Sequence, residues 1–179
     1  MGTRRLQTKI TSQTGYAMFG FTVPSRLSQP DETAYQLRVL AAVLSEGHSA
    51  QLDQALKYQQ HLVSSISVSY PMYQRFSTTL TIHCIPAPGV AIEKLEKALH
   101  YEIKKLQTKP VTAKVLARAK AQILAAHTYA HDDIMDRASQ YGQRLSVGLT
   151  LEEYQHFEKH INHVSAKAVQ QMAQTYLIP

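Results

Sequence analysis

Ser65-Ile66-Ser67-Val68-Ser69-Tyr70 and, past Pro71 to Phe76, Ser77-Thr78-Thr79-Leu80-Thr81-Ile82-His83-Cys84-Ile85 decide how this chain is read. In the first run Ile66, Val68 and Tyr70 alternate with three serines. A period of two gives a strand one apolar and one polar face. The second run is rich in Thr and Ile, which suit a pleated, half-buried surface. Pro71 to Phe76 is the hairpin connection between them.

Towards the N-terminus, Ala17, Phe19, Phe21 and Val23 alternate with Met18, Gly20 and Thr22, a further strand. Asp31 and Glu32 then open a helix, where negative charge suits the positive end of the dipole. Tyr35, Leu37, Val39, Leu40, Val43 and Leu44 give that helix a broad apolar face, and Gly47 is its stop. A shorter helix is expected over 49–60. Towards the C-terminus, Pro86-Ala87-Pro88-Gly89 is a rigid turn. Ile92, Leu95, Leu99, Ile103 and Leu106 then recur at helical spacing as far as Lys109-Pro110. Thr112 caps a long helix running through Ile123 and Leu124 towards Ile134 and on to Gly148. Thr150 and Glu153 have the spacing of a capping box for a helix to about Asn162, and Ser165 caps a last one ending near Tyr176. Strands, helices, a hairpin and then four helices predict an α+β fold, an antiparallel sheet packed on one face by several helices.

At 179 residues the chain suits one domain. Hydrophobic residues make up 44% and charged residues 18%, a globular composition. No apolar run reaches the roughly 18 residues that a membrane span needs. The basic start Met1-Gly2-Thr3-Arg4-Arg5 has no apolar stretch behind it, so no signal peptide is read. The formal charge is +6. Its basic residues are scattered and interleaved with acids, as in Glu93, Lys94, Glu96 and Lys97, which describes solvated helix faces rather than a nucleic-acid stripe. The single cysteine, Cys84, rules out an internal disulfide and sits in an apolar run as a small hydrophobe. The compartment stays open between periplasm and cytoplasm for a soluble protein.

Two histidine pairs are the metal candidates. His156 and His160 lie four apart on one helical face, as two ligands require. Glu158, however, falls midway between them and points to the opposite side, so it cannot act as base on a water they hold. His127 and His131 are also four apart, with Asp132 and Asp133 following as carboxylates that would orient an imidazole. Both pairs are weak candidates beside a polar helix face. No G-x-S-x-G elbow, G-x-x-x-x-G-K-[ST] loop or G-x-G-x-x-G fingerprint occurs, and no catalytic residue is assigned.

Taken in order, several segments resemble the pitrilysin/insulinase zinc metallopeptidases, which include the mitochondrial processing peptidase. They are Ala34 to Leu44 with Gly47-His48-Ser49-Ala50-Gln51-Leu52, Pro86-Ala87-Pro88-Gly89-Val90 with Leu95-Glu96, Pro110-Val111-Thr112 with Leu116-Ala117-Arg118-Ala119-Lys120, and Ser165-Ala166-Lys167-Ala168-Val169 with Ala173 and Tyr176-Leu177. The likeness covers nearly the whole chain. That family pairs a domain bearing H-x-x-E-H with a metal-free "inactive" domain, and H-x-x-E-H is absent here.

The resemblance implies a single C-terminal, metal-free domain spanning 1–179, ending short of a final strand. It would form part of the substrate chamber of a zinc metalloendopeptidase that hydrolyses peptides, or serve as a scaffold subunit of the same fold. Zinc would sit in a catalytic domain elsewhere, in cis or in a partner subunit, and an extended peptide would be the substrate. An uncovered sheet edge also invites pairing with a second copy. Some metal-free domains of the family supply an Arg and, seven residues later, a Tyr to the substrate. Lys57 and Ser64 occupy those positions here and are the substrate-contact candidates. Lys keeps the charge without the planar fork, and Ser loses the phenolic donor.

Overall fold

The computed structural model of the chain describes residues 4–8, 15–29, 31–47, 49–130 and 132–178. The alternating segments form three strands, β1 (Ala17–Val23), β2 (Val63–Ser69) and β3 (Thr78–Pro86). They pair antiparallel in the order β1-β3-β2, so β3 is central and β1 and β2 are the edges. Residues with period two divide cleanly between the faces. Phe21 and Val23 of β1, Val63 and Ile66 of β2, and Leu80, Ile82 and Cys84 of β3 are buried.

Helix α1 (Thr33–Ser45) lies under the sheet and buries ten residues, Leu37, Val39, Leu40, Val43 and Leu44 completely. It is the centre of the core, touching β2, α3, α5 and α6. Its chain leaves at Glu46 in an extended conformation and turns at Gly47, whose φ is 82°. The short helix expected after it is mostly π-helical, Asp53–Gln59. The Gln60 amide bonds the Ala55 carbonyl at 3.1 Å, and the Leu62 amide bonds Leu56 at 2.7 Å. His61, with φ of 52°, completes the reversal into β2.

After the hairpin come α2 (Ile92–Thr108), α3 (Ala113–Tyr129), α4 (Ile134–Val147), α5 (Leu151–His163) and α6 (Ala166–Tyr176). Leu95, Leu99, Ile103 and Leu106 form the buried stripe of α2. Thr112 and Ser165 cap α3 and α6 through their hydroxyls. The buried residues of α2, α3, α5 and α6 join one core against one side of the sheet, while α4 adds none to it, an α+β arrangement as the patterning predicts.

Two expectations are corrected. The long helix through Ile134 is two helices, so five follow the hairpin rather than four. Asp133 accepts from the amides of Met135 at 2.7 Å and Asp136 at 3.0 Å and so starts α4 afresh. The apolar pair Ile134 and Met135 suggests a continuous buried stripe, but both are exposed. Nor do Thr150 and Glu153 close a capping box, since the Thr150 hydroxyl makes no cap bond. Glu153 is held instead by Arg26 and by the Tyr35 hydroxyl. A charge-assisted contact at a partly buried site outweighs an exposed helix-end bond.

Candidate functional site

Because the core helices pack on one side, the other face of the sheet is open among the described residues. The strand register places its residues in rows. Ser65 stands opposite Ile85, Ser67 opposite His83 and Ser69 opposite Thr81, with Met18, Gly20 and Thr22 completing the rows on β1. Apart from Met18 and Ile85 the face is hydroxyls, an imidazole and one glycine. The Tyr16 hydroxyl and His83 Nδ1 are hydrogen-bonded across it. Gly20 keeps the surface flat, since a Cβ there would come within 3.1 Å of the Thr79 methyl.

Lys57 lies on the π-helical segment that precedes β2, and Ser64 near the start of β2. Val63 pairs with Pro86 and Ser65 with Ile85, so Ser64 is the extra residue of a β-bulge. Its hydroxyl donates to the Ile85 carbonyl at 3.2 Å. Bulges re-aim side chains at sheet edges. The half-buried Lys57 carries its ammonium 5.5 Å from the Tyr58 ring centroid. A π-helical turn is uncommon and its extra residue per turn costs hydrogen-bond geometry.

Among the described residues, His127, His156 and His160 are not gathered into one cluster. His160 stacks on Tyr35, with ring centroids 4.4 Å apart, and its Nδ1 lies 2.7 Å from Glu32. His156 is exposed on α5. A Glu158 carboxylate oxygen lies 3.8 Å from His127 Nδ1 of α3. His127 is buried between the rings of Tyr154 and Phe157. His131 lies outside the described residues. Among the described residues no three His, Cys, Asp or Glu side chains come together as a metal site. Asp133, read as an imidazole-orienting carboxylate, is spent on the α4 cap.

Polar groups that sequence reasoning passed over gather where α1, α5 and the hairpin loop meet. Glu153 bonds Arg26 and the Tyr35 hydroxyl. Burial, and then the Glu153 carboxylate as acceptor, push the Tyr35 phenol well above its usual range. Beside it Arg144 is buried against Tyr73, Tyr154 and Phe157 and lines a cleft of about 610 Å³. Burial raises the Tyr73 phenol, although the Arg144 charge pulls the other way.

Residues 2–123 match the sequence model of the family described as the peptidase M16 inactive domain. No curated protein matches the chain in sequence. Among solved structures, a protease from Helicobacter pylori shares the fold with a TM-score of 0.86 at 19% identity, over 95% of this chain and 40% of that one. The inactive peptidase domain of a Bordetella parapertussis protein named as a zinc protease gives 0.78 at 18% identity, over 91% and 83%. A chain of complex III2 from Candida albicans gives 0.72 at 15%, over 94% and 41%. At these identities the likeness establishes the fold. The chain spans about 40% of the Helicobacter protein's length.

Proposed function

The chain belongs to the peptidase M16 inactive-domain family, and from that premise we propose that it is the metal-free wall of a peptide-holding chamber in a zinc endopeptidase. The observation that carries this reading is the open, hydroxyl-rich sheet face bounded by the free edge of β2. An extended polypeptide can add to such an edge through its backbone, which gives affinity without demanding one side-chain sequence. Ser65, Ser67 and Ser69 keep the β2 side of that surface wet, with Ile85 and Met18 its exposed apolar side chains. A substrate can therefore slide and leave. Lys57 and the bulged Ser64 stand at the head of that edge as the contacts to the chain. The hydrolytic centre belongs to a domain carrying H-x-x-E-H, in cis or in a partner subunit.

One observation favours a second reading, a scaffold subunit. Lys57 and Ser64 replace the Arg and Tyr that would grip a peptide, and the same fold occurs in the Candida complex III2 chain. The experiment is the same for both. The complete gene product, with any partner that co-purifies, is assayed on an unfolded polypeptide with and without chelator, beside a version lacking 15–178. Chelator-sensitive hydrolysis lost on that deletion supports the chamber. A degenerate H-x-x-E-H upstream together with no hydrolysis supports the scaffold.

A further inference from the structure

Arg144 is the single buried residue of α4, 4% exposed on a helix otherwise turned to solvent. Its Cζ lies 4.3 Å from the Tyr73 ring centroid, 4.7 Å from Tyr154 and 5.8 Å from Phe157. Three rings thus stand within 6 Å of the guanidinium carbon. Nη1 donates to the Gln140 carbonyl one turn back, at 2.9 Å, and the guanidinium also hydrogen-bonds the Tyr73 side chain, while Nε is buried with no acceptor. All 13 acidic side chains of the protein are among the described residues, and none forms an ion pair with Arg144. The neighbouring arginines differ. Arg26 is matched by Glu153, and Arg38 by both oxygens of Glu46.

The cleft beside it runs between the hairpin loop, α3 and α4. Its volume of about 610 Å³ is within the range of roughly 300–1,000 Å³ usual for small-molecule sites. Met72, Ile123 and Phe157 supply apolar wall, and Gln74 and Gln143 supply polar rim. The loop wall is pre-formed. The Tyr70 hydroxyl donates to the Pro24 carbonyl at 2.8 Å, and the Ser25 hydroxyl to the Gln74 carbonyl at 2.7 Å.

We infer that this cleft binds a carboxylate carried on an apolar group, with Arg144 as the partner of the anion. A buried cation without a counter-charge is costly by itself and is satisfied by an anion brought from outside. The planar guanidinium matches the two oxygens of a carboxylate. The lining holds a single uncompensated positive charge, because Arg38 is neutralised by Glu46. That favours a monoanion over a phosphate dianion. The apolar wall takes the attached group. Such a carboxylate comes from the C-terminal residue of a peptide or from a free aryl or aliphatic acid. The site stands independently of the chamber reading, since it needs neither zinc nor a catalytic domain.

Titration calorimetry on the 179-residue chain tests it with four probes: N-acetyl-dialanyl-phenylalanine as the free acid, the same peptide as its amide, 3-phenylpropionate, and inorganic phosphate. The acid peptide binds, and more weakly as salt is raised. The amide binds about tenfold more weakly, as loss of a charge-assisted contact requires. Arg144→Gln weakens the acid to the level of the amide. Gln74→Glu, which sets a carboxylate on the rim without touching the aromatic box, weakens it several-fold with an unchanged melting curve. Should Arg144→Gln fail to fold, Gln74→Glu decides alone. A tighter peptide than 3-phenylpropionate identifies a chain terminus as the source; equal binding identifies the free acid. Equal affinity for acid and amide, insensitivity to Gln74→Glu, phosphate binding tighter than either acid, or no binding at millimolar concentration would overturn the inference.

Discussion

The hydroxyl of Tyr35 on α1 donates to the carboxylate of Glu153 on α5 at 2.8 Å, and the same carboxylate holds Arg26 in the turn after β1. One acid thereby ties three elements together. The side chains of Arg26 and Glu153 are 12% and 22% exposed, so the pair is only partly screened. Removing the acid leaves a mostly buried guanidinium and phenol without their acceptor. Glu153→Ala should cost about 2 kcal/mol, below the figure for a fully buried pair. Thr150→Ala should cost under about 0.5 kcal/mol, because that hydroxyl caps nothing. Urea midpoints of the two variants distinguish this network from a capping box, in which both would lose comparable stability.

Gly47 and Gly142 should respond to alanine with opposite signs. Gly47 has φ of 82°, and a Cβ there would lie 2.2 Å from the Gln122 amide nitrogen. Gly47→Ala must strain the backbone and displace that side chain, at about 1–2 kcal/mol. Gly142 sits inside α4 with nothing within 4 Å of the added methyl. Gly142→Ala should therefore raise stability by about 0.5–1 kcal/mol through helix propensity. Thermal melts of the pair check it, and a loss at Gly142 would mean that α4 is packed where the structure shows it open.

Side-chain partners, rather than spacing, bear on the His156 and His160 pair. His160 is engaged by Tyr35 and Glu32, and its i−4 neighbour His156 finds no third donor. Equilibrium dialysis should find less than one equivalent of zinc on the chain, unchanged in His156→Ala. Stoichiometric zinc lost in that variant would show that α5 rearranges to present both rings.

Much of this architecture is legible because burial writes itself into periodicity. Ile66, Val68, Leu80 and Ile82 announce the two-sided sheet, and Leu95 to Leu106 announce the stripe of α2, since one face of each must be apolar. Glu153 was misread because a capping box and a tertiary ion pair need the same residue. Local spacing carries no trace of Arg26, 127 residues away. The α3–α4 break was hidden for a related reason. Ile134 and Met135 continue an apolar pattern while lying on the surface, and the cap at Asp133 was read as part of a histidine cluster. The π-helical turn has no compositional mark, because its extra residue is set by how Leu56 and Leu62 close on β2. Arg144 reads as an ordinary helix cation until the three aromatic rings, from the hairpin loop and α5, are seen around it.

Cys84 links burial to pH. It is fully buried on β3, and burial pushes its thiol from the ordinary value near 9 up to about 12. The thiol therefore stays neutral in the folded protein while in the unfolded chain it ionises near 8.5. Below about pH 8.5 both states hold the proton and the folded state keeps its full advantage. Above it the unfolded state binds fewer protons, so stability falls as pH rises towards 12, by at most about 1.4 kcal/mol per pH unit for one such group. The buried phenols of Tyr35 and Tyr70, also raised by burial, add to the decline only from about pH 10, where a free phenol begins to ionise. Between pH 8.5 and 10 Cys84 gives the downward slope, which Lys120, its ammonium lowered by burial, opposes towards pH 10. Urea midpoints at half-unit steps should show wild type declining over that interval and Cys84→Ala nearly flat, from a baseline lowered by the lost sulfur packing. A thiol reagent at pH 8 should label wild type only after unfolding. Parallel declines in the two proteins, or prompt labelling of the native one, would place the sulfur in contact with water and remove Cys84 from the core of the sheet.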